Sequence, residues 1–100
     1  MRIQFTPSGR DQFLRAIRFI HDENPSAALH FRKKAEVRLR RLARFPAMGR
    51  RLPEFPDIPY RELVIPPYRF FYRRVRSTVW VVGVWHGAQL PDKPGSATDL

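Results

Sequence analysis

Apolar positions follow a two-residue alternation at the start of the chain, a three-to-four-residue period up to about residue 45, and alternation again beyond residue 60. Arg2 to Phe5 puts Ile3 and Phe5 on one side, which predicts a short strand stopped by Thr6-Pro7. Ser8 followed by Asp11 resembles a capping box, and Phe13, Ile17 and Ile20, with Leu14 and Ala16 alongside, then recur at helical spacing. This predicts a helix over about 8–23 with Arg15, Arg18 and Asp22 on its solvated side. Asn24-Pro25, a capping residue before a proline at the first helical position, both stops that helix and starts the next, so the pair should form an antiparallel hairpin. In the second helix Ala28, Phe31, Ala35, Leu39 and Leu42 share a face, while Lys33, Glu36, Arg40 and Arg44 lie opposite, with Glu36 and Arg40 spaced as an ion pair. Phe45-Pro46 ends it.

Six prolines lie between positions 46 and 67, so 46–59 reads as an extended loop of a length that is usually functional or mobile. Tyr60 to Ile65, Tyr68 to Val75 and Thr78 to His86 then read as three strands joined by Pro66-Pro67 and Arg76-Ser77, an antiparallel meander. The fold class is α+β: an N-terminal strand, a helical hairpin and the meander, forming one sheet with helices on one face. Residues 1–90 make a single domain, and 91–100, of turn composition, reads as a flexible tail.

Two features of the strands bear on function. Val79 to Trp85 is apolar on both faces, yet a helical hairpin can bury only one, so something must shield the other; by strict alternation Trp80 and Trp85 fall on opposite faces. Arg69, Phe71 and Arg73 share one face of their strand and Tyr68, Phe70 and Tyr72 the other, which makes the arginine-bearing side the candidate working surface.

Length and composition narrow the possibilities. One hundred residues support one core and one compact site, and 43% hydrophobic content is enough to fold around it. Nineteen Lys plus Arg against nine acids leave a net charge of +10, which points to a polyanion or an acidic partner. Sixteen of the cations are arginine, the planar donor suited to phosphate and carboxylate, although a high genomic GC content gives the same bias. Nine of them, Arg32, Lys33, Lys34, Arg38, Arg40, Arg41, Arg44, Arg50 and Arg51, sit on the second helix and the loop after it, with Glu36 as the one acid among them. The absence of cysteine excludes a disulfide framework, a thiolate nucleophile and a Cys-based zinc site. A Gly-rich phosphate loop, a His/Asp metal cluster and a Ser/His/Asp arrangement are missing as well, so no cofactor, metal or small-molecule substrate is expected. The longest apolar run, Val79 to Trp85, is too short to cross a bilayer and nothing reads as a signal peptide, so the expected location is the cytoplasm, away from membranes.

The order strand, helical hairpin, meander, together with the string from Tyr60 to Arg73, resembles the RelE/ParE family of bacterial type II toxin-antitoxin toxins. The likeness covers about Ile3 to Gln89, and its sharpest pieces are Asn24-Pro25, Phe45-Pro46-x-x-Gly49-Arg50, Tyr68-Arg69 with Tyr72, and Val84-Trp85-His86-Gly87. The resemblance implies a growth-inhibiting, plasmid-stabilising toxin neutralised by a cognate antitoxin. It implies as target either DNA gyrase, for ParE-like members, or messenger RNA on the ribosome, for RelE-like endoribonucleases. A basic nucleic-acid-binding domain without toxicity stands outside both.

Cleaving RNA through its 2′-hydroxyl takes a base, cationic donors for the phosphorane and an acid. The resemblance assigns the phosphate to Arg69; Arg61 is a second donor, and His86 an acid or base near neutral pH. Glu54 and Glu62 are the carboxylates near enough to act as base, with salt-bridge roles as the plainer reading. The set is incomplete, since the loop after the second helix has no lysine and the last strand ends in His86-Gly87-Ala88, an ending closer to ParE-like members, so gyrase inhibition is favoured. Antitoxin or target binding is expected at Arg50, Arg51, Arg61, Arg69, Phe71, Arg73 and Trp85.

Overall fold

Thr6, not Ser8, caps the first helix: its hydroxyl accepts from the Gly9 N–H at 3.1 Å, and Pro7 takes the first helical position, where a missing N–H costs nothing. The computed structural model describes residues 1–87, and the expected tail at 91–100 lies outside them. The elements run β1 (Arg2–Phe5), α1 (Pro7–Glu23), α2 (Pro25–Arg44), β2 (Arg50–Arg51), β3 (Arg61–Ile65), β4 (Tyr68–Val75) and β5 (Thr78–His86). Asn24 closes α1 through its backbone N–H and opens α2 through its side chain, which accepts from the Ala27 N–H at 3.1 Å. Glu36 pairs with Arg32 one turn earlier rather than with Arg40, at 3.4 Å.

The strands form one open sheet in the order β1-β5-β4-β3-β2. The sheet has five strands and is mixed, not a bare meander, because β1 joins its edge parallel to β5 and Arg50–Arg51 within the proline-rich loop add a short antiparallel strand beside β3. Both additions satisfy edge backbone groups that the meander alone would leave unpaired. Among the described residues no helix is long and apolar enough to cross a membrane.

One face of the sheet receives the helices. Phe31, Ala35, Leu39 and Leu42 of α2, with Ala16 of α1, close over Leu63, Ile65, Tyr68, Phe70, Tyr72, Val79, Val81 and Val84. Phe13, Ile17 and Ile20 pack against this core as their spacing predicts, whereas Leu14 stays exposed. Phe13 lies 5.6 Å from Phe70, edge to face, and 5.3 Å from Phe5, so one ring joins α1 to β1 and β4.

The opposite face is covered from within the chain. Leu52, Phe55, Ile58 and Tyr60 from the loop before β3 pack on Phe71, Val82, Trp80 and Trp85. Both tryptophans therefore face the helix-free side, against the strict alternation. The reason is a bulge: Phe71 lies opposite Gly83 and Tyr72 opposite Val81, so Val82 has no partner on β4 and the inside-outside order resets after it.

The start of α1 is tied to β5. The Thr6 N–H donates to the Val81 carbonyl at 3.0 Å, and further along α1 the Gln12 side chain accepts from the Val84 N–H at 2.7 Å. Gly9 sits so close to the strand that a Cβ would run into the Val81 carbonyl oxygen, a backbone atom that cannot swing aside. Gly9→Ala is therefore expected to lose about 1–3 kcal/mol of stability despite its better helix propensity, read as a lowered urea midpoint.

Candidate functional site

Alternation along β4 and β3 brings Arg69, Phe71 and Glu62 to the helix-free face, where the loop before β3 lowers Glu54 onto them. The Arg69 Nε donates to Glu62 Oε2 at 2.6 Å, and its Nη2 reaches the same oxygen at 2.5 Å and Glu54 Oε2 at 2.8 Å. Arg50 of β2 donates to the other oxygen of Glu62. The Arg69 guanidinium lies over the Phe71 ring, 5.0 Å from its centre. Only 11% of the Arg69 side chain and none of the Glu62 side chain is exposed.

Burial works against the Arg69 charge, but the hydrogen bonds and charges of Glu62 and Glu54 outweigh it and raise its pKa further. Glu54 is held below the ordinary carboxylate value by a backbone hydrogen bond at its own position, then by Arg69 and Arg50, against partial burial. The two carboxylates that the sequence offers as bases are thus the partners of the arginine that it offers for phosphate.

The remaining candidates sit elsewhere. Arg61, opposite Tyr72, donates to the Gly49 carbonyl at 2.9 Å. Tyr72 anchors the same corner: its hydroxyl donates to the Pro46 carbonyl at 2.8 Å and accepts from the Gly49 N–H at 2.9 Å, and burial pushes its pKa up. Gly49 has no room for a side chain there, because a Cβ would stand in the Tyr72 hydroxyl. Arg73 lies over the Tyr60 ring, 5.7 Å from its centre, with its Nε buried and without a hydrogen-bond partner. Arg51 is exposed on β2, and Trp85 meets the Phe71 ring edge to face at 5.0 Å.

His86 lies opposite Tyr68 at the end of β5, its ring 5.4 Å from the tyrosine's and edge to face. Tyr68 belongs to the helix-side core, so His86 and Arg69 occupy opposite faces of the sheet. Arg61 shares the helix side but stands opposite Tyr72, four residues along β4 from Tyr68, roughly 13 Å at strand spacing. The geometry unites Arg50, Arg69 and Phe71, and sets Arg61 and His86 apart from them and from each other. Arg74, which sequence reasoning passed over, joins Arg61 and Arg73 at the end of the sheet; the signal was two adjacent arginines on a strand, which must face opposite ways. No group of three His, Cys, Asp or Glu side chains able to hold a metal occurs among the described residues.

Compared with known protein families, residues 3–91 fit the family model described as ParE toxin of type II toxin-antitoxin system, parDE. No curated protein matches the chain.

Removing Glu62 leaves the buried Arg69 with Glu54 alone and its Nε–H without an acceptor, so Glu62→Ala is expected to cost about 3 kcal/mol, and Glu54→Ala clearly less because its side chain is partly exposed. A depressed folded-state pKa makes Glu54 stabilising above its ordinary value of 4.5, with that contribution lost as pH falls through the lowered one. Urea midpoints measured across that range should fall with pH in the wild type and fall less steeply in Glu54→Gln.

Proposed function

The chain belongs to the ParE toxin family of type II toxin-antitoxin systems, and from that membership we propose that it arrests growth by inhibiting DNA gyrase rather than by cutting RNA. One observation carries the choice: Arg69, the residue a nuclease would turn to phosphate, is closed in under Glu54 and spent on two carboxylates, and His86 lies on the other face. General acid, base and phosphate donor must meet within hydrogen-bond reach of one scissile group, and these side chains do not converge. Inhibition by binding makes no such demand. It needs only a rigid, strongly basic surface, which the net charge of +10 supports.

Family membership implies a cognate antitoxin as partner. The helix-free face, expected to be the surface awaiting cover, is occupied by Leu52, Phe55 and Ile58 of the chain itself. We therefore assign the antitoxin to the sheet edge. β1 pairs only with Thr78 to Val81, so among the described residues the rest of β5 has no strand on that side. It borders a groove of about 550 Å³ lined by Gln12, Ala16, Phe19, Val84, Trp85 and His86, with Phe19 60% exposed. An extended segment carrying acids beside Leu or Ile would bury that ring and lie along this edge, taking over the Val84 N–H that Gln12 now holds.

Expression of the chain alone should stop bacterial growth, with DNA breaks and filamentation while ribosome-bound messages stay intact. Codon-phased cuts in messenger RNA, abolished by Arg69→Ala or His86→Ala, would instead establish the nuclease. Hydrogen exchange with the antitoxin bound should show new protection at Val82 to His86 and along the Gln12 to Phe19 face of α1. Protection restricted to the solvated face of α2 would refute the edge assignment.

A further inference from the structure

We propose that the end of the sheet below the α2 exit is a binding site for a phosphate of a nucleic-acid backbone. A cavity of about 180 Å³ opens there between Pro46, Pro59, Tyr72 and the arginines 61, 73 and 74, with no carboxylate in its lining. That is well below the roughly 300 Å³ at which pockets for small organic ligands begin, and suits a single small anionic group.

The three guanidiniums are already positioned. Arg61 is held by the Gly49 carbonyl, Arg74 by the carbonyl of Arg76 at 2.8 Å, and Arg73 lies over the buried Tyr60 ring. None of the three forms an ion pair among the described residues, in contrast to Arg50 and Arg69. The Arg73 Nε–H is buried with no acceptor, a donor whose desolvation is uncompensated until an oxygen reaches it.

The geometry favours phosphate over a side-chain carboxylate. A carboxylate offers its two oxygens in one plane, as Glu54 does to Arg69, whereas a phosphate offers oxygens in several directions. Arg73 and Arg74 are neighbours on β4 that leave the strand on opposite faces, but at the sheet's end both line the same cavity as Arg61 of the next strand, so cations border it on more than one side. Positive charge continues past the pocket on both sides: Arg41 and Arg44 fill the last turn of α2 before Pro46, and Arg50 and Arg51 follow Gly49. Successive phosphates of one strand would meet cations throughout, and no base edge need be read.

The test is fluorescence anisotropy of a short labelled duplex DNA and of a single-stranded RNA of equal length, over a range of salt. Arg73→Gln and Arg74→Gln should each weaken binding about tenfold and lower the salt slope by about 1, while Arg18→Gln, on the exposed face of α1 and equal in charge change, stays within about twofold. Loss on either polymer supports the site and identifies which backbone it takes. Arg74 is exposed, so its variant carries the test if Arg73→Gln fails to fold. Inorganic phosphate alone should shift the Arg73 Nε–H resonance saturably. Equal losses in all three variants, or none, would overturn the proposal. So would an unmoved Arg73 resonance, or pocket variants that lose an acidic peptide and keep nucleic acid. All readouts are direct binding, so failure of the gyrase reading leaves this site standing and the reverse also holds.

Discussion

A guanidinium withdrawn from water must be matched by negative charge close at hand, and Arg69 meets that requirement with carboxylates from two different segments. Glu62 comes from the neighbouring strand β3, and Glu54 from the loop that crosses the sheet. Arg50 completes the arrangement from β2, on the far side of Glu62. The clamp thus decides where the proline-rich loop lies. Because that loop carries Leu52, Phe55 and Ile58, its position in turn decides whether Phe71 and the two tryptophans are covered or wet.

A two-helix protein has too few helices for a sheet that is apolar on both sides, and this chain resolves the shortage without a partner. Helices close one face, and a loop with little regular structure closes the other. The bulge at Val82 is part of that solution. It turns Trp85 toward the loop, beside Trp80 and against Phe71, where strict alternation would have sent it to the helix side. A second, smaller core results, bounded on one side by the ion-paired network.

Periodicity carried most of the architecture. The α2 stripe Ala28, Phe31, Ala35, Leu39, Leu42 is buried residue for residue, and β1, β4 and β5 lie where alternation places them. What escaped were features set by tertiary contact. β2 is two residues long, too short for any period, and exists because Glu62 and Arg61 stand opposite it. A bulge adds one residue to a run of valines without changing its composition, so it leaves no mark in the sequence. The candidate site was legible as a set of residue types: the arginines, Glu54 and Glu62 were all visible. Their grouping was not, because whether an arginine meets a carboxylate or an open cavity depends on how a fourteen-residue stretch, 46–59, crosses the sheet.

The parallel pairing of β1 with β5 carries a consequence for how the molecule comes into being. The bond from Thr6 to Val81 joins residues 75 positions apart, so the first strand made has no neighbour until the last one exists. Closing so long a loop is entropically slow compared with forming the α1–α2 hairpin, whose contacts are local. During synthesis the helices can assemble early, but β1 must wait with its edge unpaired until β5 has left the ribosome. The native surface, including the edge of β5, is therefore completed in a single late step of chain closure.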